Sequence, residues 1–233
     1  MDASALNNLR TSIPAYDAPE FERHWMRALE CIKDEHEEFV PCALSLGTRR
    51  MLFQTILAMN AQDVLEIGTY TGTSTLAFCL AVKKTLGRVV TVDINDVNGP
   101  DGHWRQAGRK RSPRELMDEA GASDLVEFVT MDSVAFLQNS KRQFDLIVID
   151  GWHEEEAVYQ ELPLAIERLK PNGLIFLDDI QVAGPPEGFD TIEGPWKAVQ
   201  RHLQENLGVE VTFVTKTPEG ENVATAFITR KGE

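Results

Sequence analysis

The stretch VLEIGTYTGTSTLAF, residues 64–78, decides the fold, because it predicts a buried strand, a glycine turn and the start of a helix. The strand ends near Glu66, Gly68 and Gly72 follow at a spacing of four, and Ser74 begins an apolar run. Glycine lets the backbone turn sharply and approach a ligand closely, and a helix N-terminus presents free N–H groups. The pattern is E-x-G-x-x-x-G, which differs from the nicotinamide fingerprint G-x-G-x-x-G.

Around this stretch, short apolar strands alternate with amphipathic helices along the rest of the chain. The predicted strands are 63–67, 88–94, 126–131, 144–150, 174–178, 209–215 and 223–229, and the predicted helices are 48–59, 74–84, 113–120, 134–139, 155–170 and 195–206. Strands such as DLIVID are almost continuously apolar, as expected when helices cover both faces of a sheet. We therefore expect an α/β fold with a doubly wound, mostly parallel seven-stranded sheet, in which the last two strands form an antiparallel pair.

The chain is expected to form one Rossmann-like domain over residues 1–233, with a cofactor-binding core at 46–233. Residues 1–45, including a charged helical run at 18–40, predict a helical lid or an association segment. Two loops, 95–112 and 181–193, are long for a compact domain. Each is interpreted equally well as a lid over the site or as a surface loop without a functional role.

The composition is acidic, with 23 Lys and Arg against 37 Asp and Glu and a net charge of −14. Such a surface repels phosphate backbones, so nucleic acid is not an expected partner. The basic cluster Arg105, Arg109, Lys110, Arg111 and Arg114 is interpreted as a solvated loop in preference to an anionic-substrate site. No signal peptide or membrane span is expected, and the three cysteines predict free thiols in a cytoplasmic protein, for which a homodimer remains open.

Acidic residues end three of the predicted strands. Asp93 ends the second strand, about where an acid accepts hydrogen bonds from a ribose diol. Asp150 ends one later strand, and Asp178 and Asp179 end the next. Three oxygen ligands on adjacent strand ends suit a hard cation such as Mg²⁺, although an acid at a strand end is also a common helix or turn cap.

Together these motifs resemble a known family. LEIGTYTGTST, TVDIN, VEFVTMDS, FDLIVIDGWH and LKPNGLIFLDD, in this order, look like class I S-adenosylmethionine-dependent methyltransferases. They are similar in particular to the metal-dependent O-methyltransferases of the catechol, caffeoyl-CoA and antibiotic-sugar types. The resemblance covers roughly residues 43–180.

The resemblance implies positions for the cofactor. The methionine and sugar portions would lie along Glu66, Gly68, Thr69, Tyr70, Gly72, Ser74 and Asp150, with Asp93 at the ribose hydroxyls. Asp132 and Ser133 would lie at the adenine, and Trp152 would pack on its ring. The segment 45–47 is a candidate cover for the methionine end.

His153 is the candidate general base, because an ordinary histidine accepts a proton near neutral pH. The catechol-type enzymes carry a lysine here and usually an asparagine at the position of Asp179, which leaves the metal plausible and the base open. The alternative is that His153 begins the following helix.

The expected function is transfer of a methyl group from S-adenosylmethionine to a hydroxyl of a small molecule, assisted by Mg²⁺ or another divalent cation. The acceptor would be catechol-like, a vicinal diol or a natural-product sugar. Two alternatives remain open: a tRNA methyltransferase, which the acidic charge disfavours, and a cofactor-binding protein of this fold that transfers no methyl group.

Overall fold

A computed structural model of the chain describes residues 23–26, 43–180, 193–218 and 220–232. Residues 23–26 are helical, and the buried Trp25 packs edge-on against Phe53 with 5.4 Å between ring centroids. The remainder of the predicted lid helix at 18–40 and nearly all of the loop 181–193 lie outside the described residues.

The described part of the chain contains seven strands. They are β1 (Asp63–Ile67), β2 (Arg88–Asp93), β3 (Val126–Thr130), β4 (Phe144–Ile149), β5 (Leu169–Leu177), β6 (Val209–Lys216) and β7 (Asn222–Arg230). The helices are α1 (Leu46–Met59), α2 (Thr73–Thr85), α3 (His103–Gln106), α4 (Pro113–Glu119), α5 (Ser133–Asn139), α6 (Glu155–Glu167) and α7 (Gly194–Gln204). A 3-10 turn at Ser123–Leu125 precedes β3.

The strands form one sheet in the order β3-β2-β1-β4-β5-β7-β6. Strands β1 to β5 pair in parallel, and β7 runs antiparallel to both β5 and β6. The predicted doubly wound, mostly parallel sheet of seven strands, with the last two strands antiparallel, is therefore confirmed.

Both faces of the sheet are covered, because successive strand residues point to opposite sides. Val64 belongs to the core under α1, α2 and α4, whereas its neighbour Leu65 belongs to the core under α5, α6 and α7. The same alternation separates Val148 from Ile149 on β4. This pattern explains the continuous apolar strands that the sequence displays.

The predicted boundary between α6 and β5 is wrong. The sequence predicted a helix to residue 170 and a strand from 174, whereas α6 ends at Glu167 and β5 begins at Leu169. Leu169 is fully buried and pairs with Phe144, and a register shift on β4 follows this pair. Tertiary pairing of Leu169 thus overrides the helical pattern that continued through it.

Loop 95–112 is packed against the domain and contains α3. Trp104 is 7% exposed and Arg109 is 8% exposed, so the interpretation of the basic cluster as a solvated loop is wrong for Arg109. The loop leads into α4 through a capping box, in which Ser112 Oγ accepts from the Glu115 N–H and Glu115 Oε2 accepts from the Ser112 N–H. Within the described ranges, no helix is long and apolar enough to cross a membrane.

Candidate active site

The strand order reverses between β1 and β4, and in open α/β sheets ligands bind at the carboxyl ends of the strands beside such a switch point. The glycine turn 68–72 lies there. Gly68 has φ +96°, and a Cβ on it would lie 2.1 Å from the carbonyl oxygen of Asp150. Only glycine permits this approach, which brings the turn against the residue that follows β4.

Asp93 lies at the end of β2 and holds the same turn from the other side. Its Oδ2 accepts hydrogen bonds from the N–H groups of Thr69 at 3.1 Å and Tyr70 at 3.2 Å. Its Oδ1 accepts from the Asn95 N–H at 2.9 Å. The side-chain amide of Asn95 also donates to Oδ1, at 3.3 Å, so the roughly four lone-pair sites of this carboxylate are occupied, and the ribose diol that the sequence predicts here would have to replace some of these donors.

Glu66 lies beneath the turn and is 1% exposed. Its Oε1 accepts from Ser74 Oγ at 2.6 Å, and its Oε2 accepts from the hydroxyls of Thr75 and Thr91 at 2.5 and 2.6 Å. Burial raises the pKa of Glu66 to about 7, although the three hydroxyls oppose that rise. Glu66 thereby joins β1, β2 and the first turn of α2, including the predicted cofactor residue Ser74.

The three carboxylates that the sequence singles out follow the ends of β4 and β5. The two strands pair in parallel with Ile149 opposite Leu177, which places Asp150 beside Asp178 and Asp179. Burial raises the pKa of Asp150 well above its usual range, and the charges of Asp179 and Glu66 raise it further. Burial likewise raises the pKa of Asp178, and the charges of Asp150 and Asp179 add to the effect. These two carboxyl groups therefore keep their protons to higher pH than usual, and a bound cation would favour their ionised forms.

His153 faces this acidic cluster. Its Nε2 lies 3.2 Å from Asp179 Oδ2 and 3.8 Å from Asp150 Oδ1. Helix α6 begins at Glu155 with Glu154 as its N-cap, so the alternative that His153 begins the helix is wrong. Asp179 has φ +54°, a left-handed conformation in which non-glycine residues are strained and which is found preferentially at functional sites.

The donor set of the cluster fits a hard cation, because carboxylate oxygens are the ligands that Mg²⁺ prefers. In the described ranges, however, no three His, Cys, Asp or Glu side chains stand in the arrangement of a ready-made metal site. The donor atoms of the cluster therefore suit the ion, whereas their arrangement in this structure is not that of a ready-made site.

The residues expected at the adenine lie around the start of α5. Asp132 caps the helix by accepting from the Ala135 N–H at 2.8 Å, and Ser133 Oγ donates to Glu161 Oε1. Glu161 is 2% exposed, and burial raises its pKa to about 7. Trp152 follows β4 with 68% of its surface exposed, which leaves its ring open at this edge.

Sequence reasoning missed two buried charges, Glu161 and Arg49. Glu161 lies on the buried face of α6 with Val158, Leu162 and Ala165. Arg49 lies on the buried face of α1 and is 7% exposed. Both could have been found from the sequence, because helical periodicity places each charged residue on a face that is otherwise apolar.

Comparison with known proteins gives one family match and several relatives. A family model described as "Methyltransferase domain" matches residues 65–180. O-methyltransferase hkm8 from Aspergillus hancockii is 29% identical over 168 residues, which cover 72% of this chain and 60% of that protein. Caffeoyl-CoA O-methyltransferase 5 from Nicotiana tabacum is 27% identical, with 55% of this chain and 52% of the relative covered. The chain thus spans about half to three-fifths of the length of these curated relatives.

Solved structures show the same fold. The O-methyltransferase TomG from Streptomyces achromogenes, solved in complex with SAM, matches with a TM-score of 0.62 at 18% identity, over 98% of this chain and 96% of that chain. The O-methyltransferase from Bacillus cereus, in complex with SAH, matches with a TM-score of 0.60 at 18% identity, over 97% of both chains. With the family match and the strand order described above, these findings show that the chain belongs to the class I S-adenosylmethionine-dependent methyltransferases.

Proposed function

We propose that the chain binds S-adenosylmethionine at the glycine turn and transfers its methyl group to a hydroxyl of a small molecule. The observation that carries this proposal is the position of His153, 3.2 Å from Asp179, beside the strand end that the glycine turn contacts. A proton acceptor next to a cofactor turn is the arrangement that O-methyl transfer requires, since the hydroxyl must lose its proton. The printed names of the relatives, among them a caffeoyl-CoA O-methyltransferase, support oxygen as the acceptor atom.

The reaction is a direct displacement in which the acceptor oxygen attacks the sulfonium methyl group and the sulfur leaves as S-adenosylhomocysteine. In this scheme the protein contributes mainly position: Asp93 and the turn hold the ribose, and Ser133, Asp132 and Trp152 hold the adenine. Holding both reactants in line converts a bimolecular step into an effectively unimolecular one. His153 takes the hydroxyl proton, and Asp179 beside it stabilises the imidazolium that forms.

We further propose that Asp150, Asp178 and Asp179 hold Mg²⁺ or another divalent cation. Support comes from three carboxylates at adjacent strand ends: burial raises the pKa of Asp150 and of Asp178, and the charge of Asp179 raises both further. When bound, such an ion lowers the pKa of a coordinated hydroxyl and orients a vicinal diol through both oxygens. A catechol-like acceptor or another vicinal diol is therefore the substrate class that this cluster favours.

The test is to incubate the protein with S-adenosylmethionine and catechol-type acceptors and to measure formation of S-adenosylhomocysteine and of the methyl ether. We expect turnover that a chelator abolishes and added Mg²⁺ restores. Turnover that is unchanged in chelator would refute the metal and the chelated diol while leaving methyl transfer in place. Tight cofactor binding without any product, across acceptors screened from a metabolite extract with labelled cofactor, would favour a binding protein instead.

Residues 1–45 and the loop 181–193 are proposed to close over the acceptor, and residues 1–233 to form one domain. The segment 1–45 directly precedes α1, and the loop follows the carboxylates that end β5. Both positions lead to the edge of the sheet that carries the candidate site.

A further inference from the structure

Glu161 is a buried acid that has no part in the proposed methyl transfer. It is 2% exposed and lies on the face of α6 that also buries Val158, Leu162 and Ala165. Its Oε1 accepts a hydrogen bond from Ser133 Oγ at the start of α5. Its Oε2 is buried and makes no hydrogen bond to any residue that the structure describes. Packing alone would favour an apolar side chain here, because a buried carboxyl oxygen without a donor is destabilising.

The hydrogen bond to Glu161 fixes the direction of the Ser133 hydroxyl. A hydroxyl has one proton to donate and two lone pairs that accept, whereas an ionised carboxylate only accepts. The Ser133 proton therefore points to Glu161, and the hydroxyl oxygen has only lone pairs left for a ligand. Ser133 is half-buried while Met131 and Asp132 beside it are exposed, so this end of α5 borders on solvent.

The protonation of Glu161 sets the conditions under which this direction holds. Burial raises the pKa of Glu161 to about 7, the Ser133 hydroxyl opposes that rise, and the charge of Asp132 adds to it. Above this pH the carboxylate has no proton of its own to donate. The hydrogen bond then runs from Ser133 to Glu161 and not the other way.

Ser133 lies beside the acid that is proposed to hold the ribose. Asp93 pairs with Thr130 where β2 and β3 end, and the Met131 N–H donates to the Asp93 carbonyl oxygen at 2.9 Å. In the sheet, β3 lies on the side of β2 that faces away from β1 and β4. His153 follows β4, so a nucleoside with its sulfonium side toward His153 and its ribose at Asp93 extends its base toward the start of α5.

Purine bases differ in what they offer to a lone pair at this position. The 6-amino group of adenine donates hydrogen bonds, whereas the 6-oxo group of hypoxanthine accepts them. A site that presents an acceptor to the amino group rejects the oxo analogue, because two acceptors are then left facing each other without a proton.

We propose that Glu161 is a positioning residue that makes the cofactor site select a purine with an exocyclic amino group. It acts through Ser133, whose hydroxyl it holds as an acceptor, and does not contact the ligand itself. The inference rests on the proposed binding of S-adenosylmethionine at this edge of the sheet. Asp132 is a second acceptor at the start of α5, so Glu161 contributes part of the selection and not all of it.

Calorimetric titration with two matched ligands tests this role without turnover. The ligands are S-adenosylhomocysteine and S-inosylhomocysteine, which carries hypoxanthine in place of adenine. Both are titrated at about pH 8.5, where Glu161 is ionised. Glu161→Leu removes the acceptor and keeps an apolar side chain on the buried face of α6. Glu167→Leu is the control, because Glu167 is an exposed acid at the end of the same helix.

The two ligands should respond differently to Glu161→Leu. In this variant the Ser133 hydroxyl is free to rotate, so it can donate to the oxo group or accept from the amino group. Affinity for S-inosylhomocysteine should rise by roughly fivefold or more, whereas affinity for S-adenosylhomocysteine should change by less than about twofold. Glu167→Leu should leave both affinities unchanged. A gain for one ligand alone is not expected of a variant that only disturbs packing.

Ser133→Ala provides a second variant that retains Glu161. Loss of the hydroxyl should weaken binding of S-adenosylhomocysteine by roughly threefold to tenfold and that of S-inosylhomocysteine by less than about twofold. Thermal unfolding of each variant shows whether it is folded, and Ser133→Ala keeps the proposal testable if Glu161→Leu is not.

Equal changes for the two ligands, or no change, in folded Glu161→Leu would overturn the proposal, and so would an unchanged preference in Ser133→Ala. These outcomes would leave the proposed methyl transfer in place, because S-adenosylhomocysteine still binds and turnover is measured separately. Absence of any S-adenosylhomocysteine binding to the unsubstituted protein would instead refute the proposed function together with this inference.

Discussion

At the scale of single residues, Asp93 is the clearest test of cofactor binding, because its carboxylate faces the turn at the switch point. Asp93→Ala should weaken S-adenosylmethionine binding by about 1.5–3 kcal/mol, since charge-assisted hydrogen bonds to a diol are stronger than neutral ones. Asp96→Ala is the control, because Asp96 is an exposed acid three residues further along. Unchanged affinity in folded Asp93→Ala, measured by calorimetry, would mean that the ribose is held elsewhere.

His153 provides the corresponding test of chemistry. His153→Ala should lower kcat by roughly 10²–10⁴-fold, the usual contribution of general base catalysis, while cofactor affinity is retained. Glu154→Gln is the control, since Glu154 is the exposed N-cap of α6 next to His153 and has no proposed role in proton transfer. If His153→Ala turned over at the normal rate and metal were still required, the ion alone would activate the hydroxyl and bulk water would take the proton.

At the scale of elements, the strand–turn–helix unit was predictable and the buried charges around it were not. The predicted strand 63–67 agrees with β1 at both ends, because an apolar run bounded by a polar start and a glycine has few alternatives. The β5 boundary failed because the pairing of Leu169 with Phe144 is a long-range contact that no local pattern encodes. The hydrogen bond between Ser133 and Glu161 has the same origin, since it joins residues that lie on two different helices and are 28 positions apart in sequence.

The packing of the turn between β1 and α2 can be tested by comparing its Gly72 with Gly208, which precedes β6. Gly72 has φ +78°, and a Cβ on it would lie 2.7 Å from Pro113 Cβ, whereas Gly208 has φ +75° with no atom within 4 Å of such a Cβ. Gly208→Ala should lower the free energy of unfolding by roughly 1–2 kcal/mol, the strain of the left-handed conformation alone. Gly72→Ala should lower it by about 1–3 kcal/mol more, because Pro113 must also move.

Urea unfolding of the two alanine variants measures this difference directly. Equal losses would show that α4, which begins at Pro113, shifts without resistance. A larger loss in Gly72→Ala would instead show that the turn, α2 and α4 are packed as one unit. In that case the variant should also bind the cofactor less tightly, because the turn is the proposed binding element.

At the scale of the whole molecule, the chain combines a net charge of −14 with buried carboxyl groups at one edge of its sheet. Burial raises the pKa of Glu66, Asp150, Asp178 and Glu161 above the usual range. Ionisation of these four groups therefore opposes folding, and their contribution to the free energy of folding depends on pH in the direction opposite to that of carboxylates in ion pairs. The composition predicted the acidic surface, whereas the buried acids became visible only when the sheet brought the strand ends together.

The effect of one buried carboxyl group on stability can be measured at Glu66, because its pKa rises from 4.5 in the unfolded chain to about 7 in the folded protein. Below about pH 4.5 both states hold the proton, and between these two values the folded state keeps a proton that the unfolded state has lost. The free energy of unfolding therefore falls as pH rises through this window, by an amount on the order of 3 kcal/mol, and stays level above it.

Glu66→Gln keeps a neutral side chain of the same shape at every pH and should lack this loss. Urea unfolding from pH 5 to 8 should show the unsubstituted protein losing stability relative to Glu66→Gln, with the exposed Glu210→Gln as the control. Parallel curves for the unsubstituted protein and Glu66→Gln would mean that the hydroxyls of Ser74, Thr75 and Thr91 fully offset the burial of the carboxylate.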